Sequence, residues 1–171
     1  MLPDLLAPNL LVVFVGTAPS TTSAARDHYY SHHSNKFWDL LTATGLTGDA
    51  RLTSDRDREI TSYRCGLTDP VKRRAASSDA DLDDADFDIP GLLDRLADCK
   101  PRVVAFNGRE TARRVAEHLG QRIPNEGPIA WKVSGAAAYR LPSSSATNTR
   151  RPYKAKEKIW QAFGEWVDAL S

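Results

Sequence analysis

The sequence has few cysteines and no long apolar run, and each shortage excludes classes of protein. Only two cysteines, Cys65 and Cys99, occur among its 171 residues. Two thiols cannot supply a four-cysteine zinc or iron–sulfur site, and we expect both to be reduced and mostly buried, as in a cytoplasmic protein. No window approaches the roughly 18 apolar residues that a membrane-spanning helix needs. The apolar segment 1–15 lacks a basic start and a small-residue cleavage site, so we expect neither a signal peptide nor a membrane partner.

Two motifs of common enzymes are missing as well. There is no Gly-x-Ser-x-Gly sequence, which argues against a hydrolase with a serine nucleophile. The segment Gly16-Thr-Ala-Pro-Ser20 is not followed by the Gly-Lys-Ser/Thr of a phosphate-binding loop. His28 and His32 have the i, i+4 spacing of a helical metal pair, but no carboxylate or thiol completes a ligand set. For these histidines the sequence favours a surface or hydrogen-bonded role over a metal site.

A near-neutral net charge conceals two halves of opposite sign. Lys and Arg number 23 and Asp and Glu number 22, for a net charge of +1. That value alone argues against a strongly basic nucleic-acid-binding protein. Residues 1–99, however, hold 10 basic and 16 acidic residues, a net charge of −6, and include the aspartate-rich run 79–88. Residues 100–171 hold 13 basic and 6 acidic residues, and their net charge of +7 can meet phosphates.

Alternating apolar strands and amphipathic helices predict an α/β fold. The runs 10–15 and 102–107 have apolar centres and are each followed by glycine, a pattern typical of parallel strands buried on both faces. Apolar side chains at helical spacing or helix start and stop signals predict helices in four other segments. These helices are expected over 35–44, 88–100, 110–119 and 152–170. The other expected elements are a short strand or turn over 64–69, short strands over 129–133 and 137–141, a short polar helix over 54–62 and a long loop over 71–86.

The order of these elements favours three layers. We expect one domain over residues 1–171, in which helices cover both faces of a mainly parallel central sheet in an αβα arrangement. Ligands of such sheets bind at the carboxyl ends of the strands. In this chain those ends are the loops after Val15, Asn107 and Leu141.

Two of the strand-exit loops hold residues suited to binding. Gly16 permits a sharp turn, so the backbone N–H groups that follow it can converge on an acceptor; an ordinary strand-to-helix turn is the alternative. The loop 141–145 holds three consecutive serines and is followed by cations, a composition suited to phosphate oxygens. A solvated polar loop is the alternative there. Tyr30 is suited to stacking on a ring, or to packing at the base of its loop.

Taken in chain order, these segments resemble the mismatch-specific uracil-DNA glycosylase family. That family is the branch of the uracil-DNA glycosylase superfamily that also holds the thymine-DNA glycosylases. The combination of segments is specific, although each alone is not, and it covers most of the chain. The resemblance is carried by residues 5–10, the first motif Gly16-Thr-Ala-Pro-Ser20, Tyr30, residues 35–38, 63–68 and 101–108, and the second motif Leu141-Pro-Ser-Ser-Ser-Ala146.

The resemblance implies a uracil-DNA glycosylase-like fold that flips uracil out of duplex DNA and hydrolyses its glycosidic bond. It implies that neither a metal nor a cofactor is needed. It also implies a monomer in the bacterial cytoplasm, whose substrate is double-stranded DNA containing uracil mispairs and whose further substrate is single-stranded DNA. It assigns Gly16, Thr17, Ala18, Tyr30 and Asn35 to the base pocket. It assigns Ser23, Ser143, Ser144, Ser145, Ala146, Asn148, Arg150 and Arg151 to DNA binding.

One departure from the family bears on catalysis. The best-known members have Asn as the third residue of the first motif, where it positions the attacking water, whereas this chain has Ala18. An aspartate of the acidic loop could orient the water and stabilise the cationic sugar while it is ionised. Asp79 is the first choice, because related sequences with the Ala variant also place an acid in this loop, and Asp69 is the second. For each aspartate, a solvated loop charge is the alternative.

The leading hypothesis is therefore a monofunctional glycosylase that removes uracil, best from G·U mispairs, and leaves an abasic site. The first motif has no lysine for a Schiff base, so strand cleavage is not expected. The segment 145–147 is small and polar, which predicts weak discrimination of the opposite base. Ala18 favours the alternative of a DNA protein that binds uracil or damage without cutting. A third hypothesis is a small-molecule hydrolase that uses Ser143–Ser145.

Overall fold

The computed structural model describes residues 2–146 and 151–170. Its strands are β1 (Val12–Val15), β2 (Cys65–Thr68), β3 (Val103–Asn107), β4 (Gly127–Pro128) and β5 (Ala137–Leu141). Its α-helices are α1 (Thr21–Arg26), α2 (Phe37–Thr44), α3 (Ile89–Cys99), α4 (Glu110–Leu119) and α5 (Tyr153–Ala169). Three 3-10 helical segments are Ser54–Tyr63, Asp79–Asp81 and Asp84–Asp86.

The five strands form one mainly parallel sheet in the order β2-β1-β3-β5-β4. The first four run parallel, and β4 alone pairs antiparallel with its neighbour β5. Val15 at the end of β1 lies opposite Thr68 on one side and Phe106 on the other. Because the strands end in register, the residues that follow β1 and β2 leave the sheet side by side with the end of β3. This edge carries the candidate site.

Helices cover both faces of the sheet, as the α/β three-layer prediction requires, and that prediction is confirmed. On one face Phe14 packs against residues of α2 and α5, with ring centroids 5.4 Å from Phe37 and 5.9 Å from both Trp160 and Phe163. On the other face the apolar side chains of α3 and α4 pack against Val13, Val15, Val104 and Phe106. None of the helices in the described part of the chain is long and apolar enough to cross a membrane.

The ends of the helices follow the signals read from the sequence. Asp88 caps α3 by accepting a hydrogen bond from the Gly91 N–H at 3.0 Å. Gly45 ends α2 and Gly120 ends α4, both with the positive φ that glycine adopts without strain. The helices expected over 35–44, 88–100, 110–119 and 152–170 are therefore confirmed, with shifts of one or two residues at their ends.

Two expectations for local structure are wrong. The segment 129–133 does not form a strand: β4 is only two residues long and lies before it. Val133 instead closes a turn with Ala136 through reciprocal backbone hydrogen bonds of 3.0 and 2.8 Å. The loop expected after Val15, which by composition extends over residues 17–23, is also shorter than expected, because the six-residue helix α1 begins at Thr21. Its cap is Ser20, whose hydroxyl accepts from the Ser23 N–H at 3.1 Å, and the helix is too short to show apolar periodicity.

Helices α2 and α5 approach each other closely at Gly164, which gives a test of the packing. A Cβ at this position would collide with the backbone carbonyl of Thr44. We expect Gly164→Ala to lower the free energy of unfolding by about 1–3 kcal/mol, since the clash outweighs the gain of roughly 1 kcal/mol in helix propensity. Urea unfolding measures this change. The exposed Gln161 of the same helix provides the control, because Gln161→Ala should stay within about 0.5 kcal/mol of the wild type. An unchanged Gly164→Ala protein would mean that the two helices separate easily.

Candidate active site

A single-ring-sized pocket opens at the carboxyl edge of the parallel sheet. Its volume is about 220 Å³, below the range typical of pockets for drug-sized ligands. Residues from the ends of all four parallel strands line it. The predicted site residues that it brings together are Gly16, Thr17, Ala18, Ser23, Tyr30, Asn35, Asp69, Asp79, Ser143, Ser144 and Ser145.

Gly16 and Asp69 meet at the floor of this pocket. They directly follow β1 and β2, whose last residues are register partners. A Cβ on Gly16 would collide with Oδ1 of Asp69 and lie 2.9 Å from the hydroxyl of Tyr30. The backbone of Gly16 is held from two sides, because its N–H donates to Thr68 at 3.0 Å and its carbonyl accepts from the Thr111 hydroxyl at 2.8 Å. The absence of a side chain at position 16 therefore leaves the space that the Asp69 carboxyl occupies.

The carboxyl of Asp69 is buried, since the residue is only 3% exposed. Burial raises its pKa to about 7, and the nearby Lys72 opposes this rise. None of the ion pairs found among the described residues involves Asp69. Such a carboxyl changes its protonation state near neutral pH, which is the range in which a catalytic acid or base works best.

Asp79 lies at the rim of the same pocket. It begins a short 3-10 turn of the acidic loop, and the residue is exposed. Its pKa is raised, mainly by partial burial of its carboxyl and next by the charge of Glu110, while a hydrogen bond from the Thr17 hydroxyl acts in the opposite direction. Asp79 can therefore reach the first motif, but from the solvent side of the pocket.

Tyr30 has its ring stacked on Phe37, with centroids 4.1 Å apart and planes 16° apart. Its backbone has φ of +53°, a left-handed conformation that is strained for an aromatic residue and often marks functional sites. Burial raises the pKa of its hydroxyl. That hydroxyl lies near Asn107 but makes no well-formed hydrogen bond with any described residue. Its polar atom is thus buried in the pocket wall with hydrogen-bonding capacity unused.

The first motif carries the start of the acidic loop. The Thr17 carbonyl accepts from the Val71 N–H at 3.1 Å, and the Pro19 carbonyl accepts from the Ala76 N–H at 3.0 Å. The N–H groups of Thr17 and Ala18 donate none of the hydrogen bonds found within residues 2–146 and 151–170. The loop is therefore fixed over the pocket, and two backbone donors of the first motif are left for a ligand.

Asn35, Asn107 and Ser144 join three elements in one hydrogen-bonded wall. Asn107 donates to the Ser144 hydroxyl at 2.8 Å and accepts from the Ser144 N–H at 2.9 Å. The Ser144 hydroxyl in turn donates to Asn35 Oδ1 at 2.8 Å. Asn35 Oδ1 also accepts from the Phe37 N–H at 2.9 Å, which fixes the orientation of the amide. Its NH₂ group donates to none of the described residues, so the wall presents a donor to whatever enters.

The residues expected to contact DNA fall into three groups, of which the first, Ser23, Ser143, Ser144 and Ser145, lines the pocket. Ser23 and Ser144 are only 2% and 1% exposed, and their hydroxyls bond to neighbouring protein groups, the Ser31 N–H and the Asn35 and Asn107 amides. Ala146 and Arg151 line an adjacent hollow, where Arg151 pairs with Glu126 at 2.7 Å. The predictions for Asn148 and Arg150 lie outside the described residues.

Comparison with known protein families identifies the family to which this chain belongs. A family model described as the uracil DNA glycosylase superfamily matches residues 3–164, which is most of the sequence. The chain belongs to the uracil DNA glycosylase superfamily. It is also similar to a solution NMR structure from Methanosarcina acetivorans that is described as a candidate uracil DNA glycosylase. The two share 26% identity with a TM-score of 0.63, over 97% of this chain and 96% of the other.

Membership in the uracil DNA glycosylase superfamily confirms the resemblance at that level. It points to uracil excision from DNA by a hydrolase that acts on N-glycosyl bonds. The narrower assignment to the mismatch-specific branch stays a prediction.

Several residues of this superfamily member's pocket were not singled out from the sequence. Asn107 was recognised only as a strand end, although a polar residue followed by Gly108 at a carboxyl edge is a detectable signal. Arg109 also lines the pocket, and no local pattern distinguishes it from a solvated surface residue. His32, for which the sequence favours a surface or hydrogen-bonded role, lines the pocket as well. These residues reach the pocket only because loops that are distant in the sequence fold next to one another.

The buried carboxyl of Asp69 predicts a stability that depends on pH. Its pKa is about 7 in the folded protein against an ordinary value of 3.8, so the folded state keeps a proton that the unfolded state has already released. The contribution of Asp69 to the free energy of unfolding therefore falls as the pH rises from about 4 to about 7. We expect Asp69→Asn to exceed the wild type in free energy of unfolding at pH 8 by roughly 1–4 kcal/mol, at about 1.4 kcal/mol per pH unit, and to differ little at pH 4.

Urea unfolding at the two pH values measures this difference. Asp27→Asn is the matched control, because Asp27 forms an exposed surface pair with Arg58 and its loss should change stability little at either pH. A lower stability of Asp69→Asn than of wild type at pH 8 would contradict the assignment of an uncompensated buried carboxyl.

Proposed function

We propose that this protein is a monofunctional uracil DNA glycosylase that works best on G·U mispairs and leaves an abasic site. The single observation that carries this proposal is the buried carboxyl of Asp69 beside Gly16, at the floor of a pocket sized for one base. A base inside duplex DNA cannot reach such a pocket, so the nucleotide must be flipped out of the stack. The superfamily match supports the same substrate.

The pocket offers a pattern of donors that suits uracil. The N–H groups of Thr17 and Ala18 and the NH₂ group of Asn35 can each donate to a carbonyl oxygen of the base. Uracil presents two carbonyl oxygens, whereas the amino group of cytosine would face the Asn35 donor without a partner, which is unfavourable in a buried site. We propose that Tyr30, held by its stack on Phe37, forms the wall against which the base packs.

In the proposed reaction the bond between C1′ of the sugar and N1 of uracil breaks, and the electron pair of that bond leaves with the base. The backbone donors of the first motif stabilise the negative charge that develops on the uracil oxygens. The ionised carboxyl of Asp69 stabilises the positive charge that develops on the sugar, and it accepts a proton from the water that attacks C1′. The side chain of Ala18 can neither stabilise the cationic sugar nor accept a proton from water. We therefore assign both roles to Asp69, at the end of the neighbouring strand β2.

This assignment reverses the order of the two aspartates that the sequence favours. Asp69 is buried beside Gly16, whereas Asp79 stands at the rim. We expect Asp69→Ala to reduce the single-turnover excision rate by about 10²–10⁴-fold, the usual contribution of a positioned acid or base, while DNA binding is retained. Asp79→Ala should reduce the rate by less than about tenfold. The measurement is cleavage by alkali of a uracil-containing duplex at enzyme excess.

The pH profile of the wild type gives a second readout of the same assignment. Excision should rise as the pH passes about 7, because only the ionised form of Asp69 can stabilise a cation. A larger loss in Asp79→Ala than in Asp69→Ala, with both proteins folded, would restore the order read from the sequence.

The opposite-base preference needs its own experiment. A panel of duplexes with uracil opposite G or A, and a uracil-containing single strand, should give fastest excision from G·U, with measurable activity on the others because the tip of the second motif is small. Equal rates on all three would refute the G·U preference but leave uracil excision intact.

A second function, uracil recognition without cleavage, is favoured by one observation only. Ala18 stands where the best-known relatives have an amide that positions water. If the wild type binds the uracil duplex but yields no alkali-sensitive site at enzyme excess across pH 6–9, this second function replaces the first.

A further inference from the structure

An ionic cluster lies directly behind the pocket floor. Its centre is Asp4, whose Oδ1 accepts from Lys72 Nζ and from the Thr68 hydroxyl, both at 2.7 Å. Its Oδ2 lies 2.8 Å from Arg95 Nε. All three charged side chains are partly shielded from solvent, with exposures of 17% for Asp4, 25% for Lys72 and 28% for Arg95. Ion pairs shielded in this way are screened less by salt than exposed ones.

The backbone fixes Asp4 in this place. Leu5 and Leu67 exchange two hydrogen bonds, of 3.0 and 2.9 Å, as an antiparallel bridge between the N-terminal segment and β2. Asp4 therefore sits beside the end of β2, next to the residue that precedes Asp69. The position of its carboxylate follows from main-chain pairing and does not depend on a flexible surface side chain.

The two cations held by Asp4 are also the cations whose charges act on the Asp69 carboxyl. Lys72 follows it by three residues, and Arg95 Nη2 donates to the Asp69 backbone carbonyl at 2.9 Å. Both cations lower the pKa of the Asp69 carboxyl, whereas the charge of Asp4 raises it. Yet neither cation forms an ion pair with that carboxyl among the described residues, whereas Asp4 pairs with both.

We propose that Asp4 is a positioning residue, which holds Lys72 and Arg95 away from the Asp69 carboxylate so that this carboxylate faces the pocket unpaired. The catalytic meaning of this role rests on the proposed function. A carboxylate locked in an ion pair is a weaker base and is already neutralised, so it stabilises a cationic sugar less well. Asp4 thus acts on the reaction through the charge state of another residue.

Other ionisable groups also face Asp69 and must be kept constant in any test. Asp79 of the acidic loop raises the pKa of Asp69. The hydroxyls of Tyr29 and Tyr30 come from the loop after α1, and the charge of Asp69 raises the pKa of each. Lys72 Nζ also donates to the Tyr29 hydroxyl at 3.4 Å. None of these groups needs to be changed to remove or restore the charge of Asp4.

The direct test measures the protonation of Asp69 itself, by carboxyl ¹³C NMR titration of aspartate-labelled protein, with Asp69→Asn to assign the signal. Asp4→Asn frees both cations and should lower the titration midpoint of Asp69 by about one pH unit. Lys72→Met removes one of them and should raise the midpoint. The charge of Asp4 also raises this pKa directly, so the double variant isolates the positioning role. Asp4→Asn should lower the midpoint less in the Lys72→Met background than in the wild type, because one freed cation is then missing, whereas equal shifts in the two backgrounds would overturn the proposal. Asp39→Asn, which breaks the surface pair of Asp39 with Arg51, should leave the midpoint unchanged.

A conservative variant separates charge from folding. Asp4→Glu keeps the carboxylate and should restore most of the wild-type midpoint. If Asp4→Asn fails to fold, Lys72→Met still decides the matter, because an unchanged or lowered midpoint in that variant overturns the proposal. Unshifted midpoints in both variants overturn it as well.

The excision assay then distinguishes this proposal from the proposed function. If the protein is a glycosylase, the acid limb of its pH–rate profile should move with the titration of Asp69, to lower pH in Asp4→Asn and to higher pH in Lys72→Met. If the titrations shift as expected while the wild type excises nothing, the positioning of the carboxylate stands and the proposed function fails. If excision is normal but neither titration nor profile moves, the positioning role fails alone.

Discussion

Burial of one carboxyl at the end of β2 constrains most of what surrounds it. An unpaired carboxylate is unfavourable in an apolar setting, and Asp69 is only 3% exposed and has no ion pair among the described residues to offset that penalty. Its neighbours are arranged accordingly. Position 16 has no side chain, so the carboxyl fits against the backbone, and the nearest cations are held by Asp4. The two apolar layers on the sheet supply the stability that such a residue lowers.

The register of the parallel strands turns this local constraint into a binding site. Since β1, β2, β3 and β5 end at the same edge, side chains that are distant in sequence meet there without long connecting segments. The wall of Asn35, Asn107 and Ser144 is closed by hydrogen bonds of 2.8–2.9 Å among three elements. A wall bonded in this way is fixed before any ligand arrives, which is the condition for electrostatic stabilisation of developing charge. Tyr30 is also fixed in place, because its ring stacks on Phe37, and this packing holds the residue in its strained left-handed conformation.

Local signals account for most of the fold but only part of the site. Gly45, Gly120 and Asp88 mark helix ends by chemistry that acts within a few residues, so those helices could be predicted. Helix α1 could not, because six residues are too few to show a period. The different surroundings of the two candidate aspartates could not be predicted either, because the pairing of β1 with β2 places Asp69 beside Gly16, whereas Asp79 lies at the rim of the pocket. That pairing joins residues more than fifty positions apart, and no local pattern specifies it.

The division of the sequence into an acidic and a basic half does not map directly onto the surface. Arg151 pairs with Glu126, and Lys156 is 6% exposed and donates to the Ser145 carbonyl at 3.2 Å, so part of the basic half supports the second motif. In the described part of the chain, the exposed cations that line the pocket and the adjacent hollow are Arg109 and, from the acidic half, Lys36. A DNA interface that rests on few such cations has a modest affinity and a shallow dependence on salt. In a glycosylase of the proposed kind, much of the energy that holds a flipped base must then come from the pocket, which makes the buried polar groups of its floor and wall the main determinants of which base is removed.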